Sequence, residues 1–305
     1  MDIASLDALT ITLSTTNQLI LAGALVTMMF ALSLSLSPSN FSFLRSHPKL
    51  FWGGLGAQLI ALPIVTILVA MLLQPAPSIA LGMIVVAACP GGNVSNLMTY
   101  AARGDTAYSV SLTAGSSIIA TLWTPAAILF WSGLYPPTAQ LLETIDFNRV
   151  AFVLQTTLML AVPLALGMTA RWYRPDIAEK IRNPLALFGA GALGMVIIVG
   201  TIDFWPILVG AFATIMIPVI AHNTAAFGLG LLTGQILTKA QAQRRALTFE
   251  IGIQNTGLAI VLLLAQLKGL GGAAAIAAVW GVWHFFSGGA MIAFYRHRDK
   301  RKPQP

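Results

Sequence analysis

Nine apolar stretches constrain this 305-residue chain more than anything else in it. A helix needs about 20 apolar residues to cross a bilayer's hydrocarbon core. Stretches of that kind fall near 17–36, 50–74, 78–103, 107–133, 149–171, 184–202, 204–235, 239–267 and 270–295. Charged residues make up only 9% of the chain, against about 25% in a soluble domain. The pattern predicts an all-α polytopic membrane protein with about nine transmembrane helices and no soluble domain. Any binding must then occur within the membrane. The single cysteine, Cys89, excludes an internal disulfide.

Charge orients the spans. With the N-terminus outside, the inner loops and tail would carry Arg45, Lys49, Arg103, Arg171, Arg174, Lys180, Arg182, Lys239, Arg244, Arg245, Arg296, Arg298, Lys300, Arg301 and Lys302. These are 15 of the 17 basic residues, leaving Arg149 and Lys268 outside. The bias follows the positive-inside rule and places the C-terminus in the cytoplasm. It accounts for the net charge of +7 without a nucleic-acid partner. The basic tail, 296–305, is expected to touch anionic lipid. The first sixteen residues hold Asp2 and Asp7 and no basic residue, so they read as a short surface tail and not as a secretory signal. With no transit peptide evident, a plasma membrane, the inner membrane of a bacterium, is the expected location.

Two spans are broken. In Ala88-Cys89-Pro90-Gly91-Gly92-Asn93-Val94-Ser95-Asn96 the proline removes a backbone donor and the glycines weaken helix. The second break lies in Glu250-Ile251-Gly252-Ile253-Gln254-Asn255-Thr256-Gly257. Lipid cannot satisfy the freed backbone groups, so such breaks survive only within protein or beside a polar cavity. They fall in the third and eighth crossings. Within one transmembrane domain, the chain therefore reads as two blocks, 17–133 and 149–295. An offset of five crossings is odd and turns corresponding helices over, which is the arithmetic of an inverted-repeat transporter. Pro63, Pro125, Pro163 and Pro218 lie inside spans and are expected to bend them.

Glu250 is the residue with the fewest bland explanations. A carboxylate at this depth is costly and faces a cavity or a partner. No span offers a lysine or arginine near its centre, so a bound cation is the simplest counter-charge. Hard cations want several oxygens, and Ser95, Asn96, Ser109, Thr113 and Gln58 supply them, with backbone carbonyls at the breaks. No clustered His, Cys and acidic set suggests zinc or iron. The half-helices beginning near Gly92 and Gln254 turn free N–H groups toward the same region, where an anion is favoured. Asn93, Asn255, Thr256 and His284 are placed nearby. His284 and the pair His222-Asn223 also fit ordinary structural roles.

These motifs resemble the bile acid:sodium symporter family. Its first signature appears as Cys89-Pro90-Gly91-Gly92 with Ser95-Asn96 and then Ala102-Arg103-Gly104-Asp105. Its second appears as Glu250 through Ala259, and the His-Asn and Trp-His pairs also match. The resemblance runs from about Leu19 to Tyr295. It implies a panel domain, a core domain with two crossing discontinuous helices, and alternating access driven by sodium. It further implies two sodium ions and no organic cofactor. One ion would be held by Ser95, Asn96, Ser109, Thr113 and Glu250. The other would be held by Gln58, Glu250, Gln254 and the carbonyls of Ile251 and Ile253. Gly92, Asn93, Asn255 and His284 would meet the solute.

The chain departs from the family pattern in three places. Bacterial members of the family are expected to have ten crossings, and the one without a counterpart among these nine stretches would be their first, from the panel domain. Asn93 stands where a threonine is usual, and Phe285 where many members have asparagine. The last two leave the organic anion open between a bile acid and a smaller carboxylate such as pantoate or a keto acid. Competing readings are a proton-coupled or sodium-independent carrier of the same fold, a receptor or channel, and an intramembrane enzyme using Glu250 and His284 as acid and base. Oligomeric state is not legible.

Overall fold

The structure is a computed structural model that describes residue 7 and residues 15–145, 148–203, 209–267 and 269–300. Helix α1 covers Thr15–Ser33. A 3-10 turn at Pro38–Phe41 and the short α2, Ser42–Ser46, lead into α3, Pro48–Leu73. The third crossing is α4, Pro77–Ala88, and α5, Asn93–Ala101. Then follow α6, Thr106–Leu134; α7, Pro136–Thr144; α8, Arg149–Tyr173; and α9, Pro175–Asp203. The last four are α10, Phe212–Leu237; α11, Gln241–Gly252; α12, Thr256–Ala265; and α13, Gly271–Lys300.

Local chemistry explains many of the boundaries. Helices α3, α4, α7 and α9 each begin with proline, whose missing N–H is no loss in a first turn. Asp105 and Asn148 cap α6 and α8 by accepting from the N–H groups of Tyr108 and Ala151. Inside α3 the turn Ala57–Ala61 is a π-turn just ahead of Pro63. Pro63 has no N–H to offer the Leu59 carbonyl, which instead accepts from the Trp123 indole at 3.2 Å. Helices α6, α8 and α10 run unbroken through Pro125, Pro163 and Pro218.

Six helices are long and apolar enough to cross a membrane among the described residues: α1, α3, α6, α8, α10 and α13. Helices α4 and α12 are apolar but short. Each is one half of a broken pair, and the pairs match in length: 12 and 9 residues in one, 12 and 10 in the other.

Several expected boundaries are corrected. Helix α9 starts at Pro175, so Lys180 and Arg182 ride on a helix and not in a loop. There Glu179 pairs with both Arg171 and Arg182. The span expected from 204 corresponds to α10, and residues 204–208 lie outside the described residues. So do Asp2, Asp146, Lys268, Arg301 and Lys302. Asp7, taken as part of a surface tail, accepts from the Ser78 N–H at 2.8 Å, a favourable place for a carboxylate at a helix N-terminus. Helix α13 continues through Lys300, so half of the expected basic tail is helical.

Helices α1, α8 and α9 pack on one another, and this group meets the rest through α1 on α12 and α8 on α6. Every residue of α4 from Ser78 to Ala88 is buried, because α13, α6, α3 and α12 surround it. A helix apolar all round belongs in such a place.

Candidate functional site

The two breaks cross and satisfy each other. Gly91 and Gln254 form an antiparallel bridge, and the Asn255 N–H donates to the Pro90 carbonyl at 3.0 Å. The last residue of each first half-helix has its carbonyl held by a side chain from an unbroken helix. Thr124 donates to Ala88 at 2.8 Å and Asn223 to Gly252 at 2.9 Å. Several of the backbone groups stripped of helix partners are thus satisfied within the protein.

Glu250 lies at this crossing and is fully buried. Its carboxylate accepts from the hydroxyls of Ser95 at 2.7 Å, Ser109 at 3.1 Å and Thr113 at 2.7 Å. Each hydroxyl also faces a second oxygen. For Ser95 it is the Gly92 carbonyl at 2.7 Å. For Ser109 and Thr113 it is Asn96 Oδ1, at 2.7 Å and 3.2 Å. A hydroxyl has one proton to give, so these three cannot serve six oxygen contacts at once. The cage is rich in oxygen and short of positive charge. Among the described residues the ion pairs are Arg171–Glu179, Arg182–Glu179 and Arg245–Asp299, none of them with Glu250. Gly91 is required here, since a Cβ on it would sit 2.1 Å from Glu250 Oε1.

A second group of oxygens gathers at the Glu250 backbone carbonyl. The π-turn carries Gln58, whose Nε2 donates to the Glu250 carbonyl at 3.2 Å and to Gln254 Oε1 at 3.4 Å. Gln254 Nε2 donates to the Ile251 carbonyl at 2.9 Å. Gln58 Oε1 is buried without a partner. Ile251 and Ile253, between Glu250 and Gln254 in sequence, are fully buried.

A cavity of about 430 Å³ opens next to the breaks, between α1 and α9 on one side and α5, α12 and α13 on the other. Gly92, Asn93, Asn255, Thr256 and His284 line its polar end, and Leu25, Met28 and Phe285 are among its apolar walls. Helix α5 begins at this cavity with no side-chain cap. Helix α12 is capped by Asn255, which accepts from the Leu258 N–H at 3.0 Å. His284 is buried with neither ring nitrogen bonded. His222 is different: it lies away from this lining and shares a 2.8 Å contact with Thr66. The supporting bonds of Thr124 and Thr66 had no signal in the sequence, where hydroxyl residues are common. Asn223 stood beside His222 but had no assigned task.

A family model described as "Sodium Bile acid symporter family" matches residues 22–205, which is more than half of the chain. The chain belongs to the sodium bile acid symporter family. It is 30% identical to "Uncharacterized sodium-dependent transporter YocS" of Bacillus subtilis (strain 168) over 277 residues, covering 90% of this chain and 82% of that one. It is 27% identical to "Probable sodium/metabolite cotransporter BASS2, chloroplastic" of Oryza sativa subsp. japonica, covering 89% of this chain but only 62% of the rice protein. The human ileal sodium/bile acid cotransporter is 26% identical, over 82% of this chain and 69% of its own length. This member of the symporter family is thus a multi-pass membrane protein, and the three relatives above are named as transporters or cotransporters.

Proposed function

We propose that this family member is a sodium-coupled symporter of an organic anion, working by alternating access in a plasma membrane. The supporting observation is the Glu250 cage, a buried carboxylate with too few protons for the oxygens around it. A proton on Glu250 would relieve one oxygen contact, whereas a sodium ion can be shared by several oxygens at once. That favours sodium over proton coupling.

In this reading two ions enter with each solute. One is held by Ser95, Asn96, Ser109, Thr113 and Glu250. The other is held by Gln58, Glu250, Gln254 and the carbonyls of Ile251 and Ile253, where the orphaned Gln58 Oε1 suits a cation. Sodium neutralises Glu250 and steadies the crossing. The uncapped start of α5 with Gly92 and Asn93, together with Asn255 and His284, then receives the anionic end of the solute. Helices α1, α8 and α9 act as the panel, and the remaining helices act as the core that moves against it. The six long helices, the two broken pairs and α9 make nine crossings. The N-terminus is outside and the C-terminus cytoplasmic. The matched lengths of the broken pairs support two inverted repeats, 17–133 and 149–295. An ion or solute drives the motion only by its preference for one arrangement, so both must favour the same closed form.

Uptake of radiolabelled taurocholate, pantoate and pyruvate into proteoliposomes tests this, with an inward sodium gradient or choline in its place. Sodium-dependent uptake of one of these anions is expected, and its loss in Glu250→Gln. Equal uptake in choline overturns sodium coupling.

A further inference from the structure

Arg245 is 3% exposed near the start of α11, five residues before Glu250, and the transport reading gives it no task. Its guanidinium forms a two-contact ion pair with Asp299 near the end of α13, one contact measuring 2.9 Å. The same guanidinium donates to the Ala102 carbonyl, just past α5, at 2.7 Å. It also lies 5.0 Å above the Tyr295 ring. The Tyr295 hydroxyl meets Thr248 of α11 at 3.0 Å. From α13, Arg296 donates to the Ala101 carbonyl at 2.8 Å. Between α5 and α6 the Asp105 N–H reaches the Ala242 carbonyl of α11 at 2.9 Å. Arginines from two helices thus hold the last carbonyls of α5, where cations suit a helix C-terminus.

We infer that Arg245 and Asp299 are positioning residues for the cation site, clamping the far ends of the two half-helices that converge on Glu250. The inference rests on the reading of Glu250 as a cation site. Arg245 and Glu250 share one helix, about 7.5 Å apart along its axis. Ser95 and Asn96 share α5 with Ala101. The 2.7 Å contact between Ser95 and Glu250 therefore depends on how far α5 is slid along α11. The clamp fixes that slide. Asp299 is also the only acidic residue among Arg296, His297, Arg298, Lys300, Arg301 and Lys302. Lipid attraction explains the basic residues around it but not this carboxylate turned inward.

Sodium binding to the purified full-length protein tests the clamp, measured as displacement of radioactive sodium with choline keeping ionic strength constant. Asp299→Asn keeps the shape and removes the charge, and Asp299→Glu restores it. The asparagine variant should need about tenfold more sodium for half-saturation, and the glutamate variant should return to within about threefold of the native protein. Should Asp299→Asn fail to fold, Arg245→Lys serves, because lysine lacks the fork that reaches Asp299 and Ala102 together. It should show the same rise. A purely structural pair would lower thermal stability in choline without moving the sodium midpoint, and that result overturns the clamp. So does a glutamate variant no better than asparagine. Glu250→Gln runs alongside: if it binds sodium as the native protein does, the cation-site reading itself falls. If it is silent while Asp299→Asn is unmoved, only the clamp falls.

Discussion

Helix α11 carries two buried charges five residues apart, and they are treated in opposite ways. Arg245 has a carboxylate from α13 in direct contact, a carbonyl from the end of α5 and an aromatic face beneath it. The Glu250 carboxylate has hydroxyls only. Burying an ion without a partner of opposite charge costs several kcal/mol, so the protein has supplied the counter-charge in one place and withheld it in the other. Under the proposed sodium coupling, the difference separates a permanent fastening from a position that a mobile ion completes.

The strongest way to break this comparison is Glu250→Gln. Removing an unpaired buried charge should raise thermal stability in choline, erase any further stabilisation by sodium, and abolish sodium-dependent uptake. Unfolding followed by tryptophan fluorescence in the two salts, beside the uptake assay, checks all three. A variant less stable than the native protein in choline would mean that Glu250 already has its counter-charge.

Arg245→Met should act with the opposite sign. It removes the buried guanidinium's contacts with the part-buried Asp299 and takes the donor from the Ala102 carbonyl, a loss of about 1–3 kcal/mol. The same unfolding measurement should show that loss in choline and a larger one in sodium, because the loosened cation site returns less stabilisation. A stability gain there would erase the distinction between the two charges.

Thr113→Ala sharpens the comparison within the cage. It removes one of the three hydroxyls on the carboxylate while leaving the charge in place. Hydrogen bonds to charged groups are worth about 1.5–3 kcal/mol, so the sodium concentration for half-maximal uptake should rise at least about tenfold. The solute KM at saturating sodium should stay within about twofold. A change confined to the solute KM would place Thr113 in the anion's site.

The contrast was only half legible in the sequence. Glu250 announced itself because a carboxylate in an apolar stretch has few bland explanations, and the proline-glycine break pointed to the oxygens it meets. Arg245 read as one of the inner-loop charges, because its partner lies 54 residues on, inside a tail whose other charges suggest lipid. Sequence spacing carries no trace of such a contact. The same holds for the π-turn at Gln58, where the proline was visible but not the indole that takes the freed Leu59 carbonyl. Helix α9 was read short because Lys180 and Arg182 looked like a loop, whereas Glu179 pairs with Arg182 on the helix itself.

The smallest effect tests a third polar group on the same half-helix, the neutral Gly252 carbonyl, through its donor on α10. Asn223 donates to the Gly252 carbonyl, two residues beyond Glu250, and is fully buried. Asn223→Ala leaves that carbonyl without its donor, at a cost of about 1–3 kcal/mol. If Gly252 takes no part in holding the ion, the loss should be equal in sodium and in choline when unfolding is followed in both. If sodium restores the lost stability, the freed carbonyl has turned to the ion. Asn223 would then be what keeps a surplus oxygen out of the cage, and the line between fastening and ion site would run through Gly252.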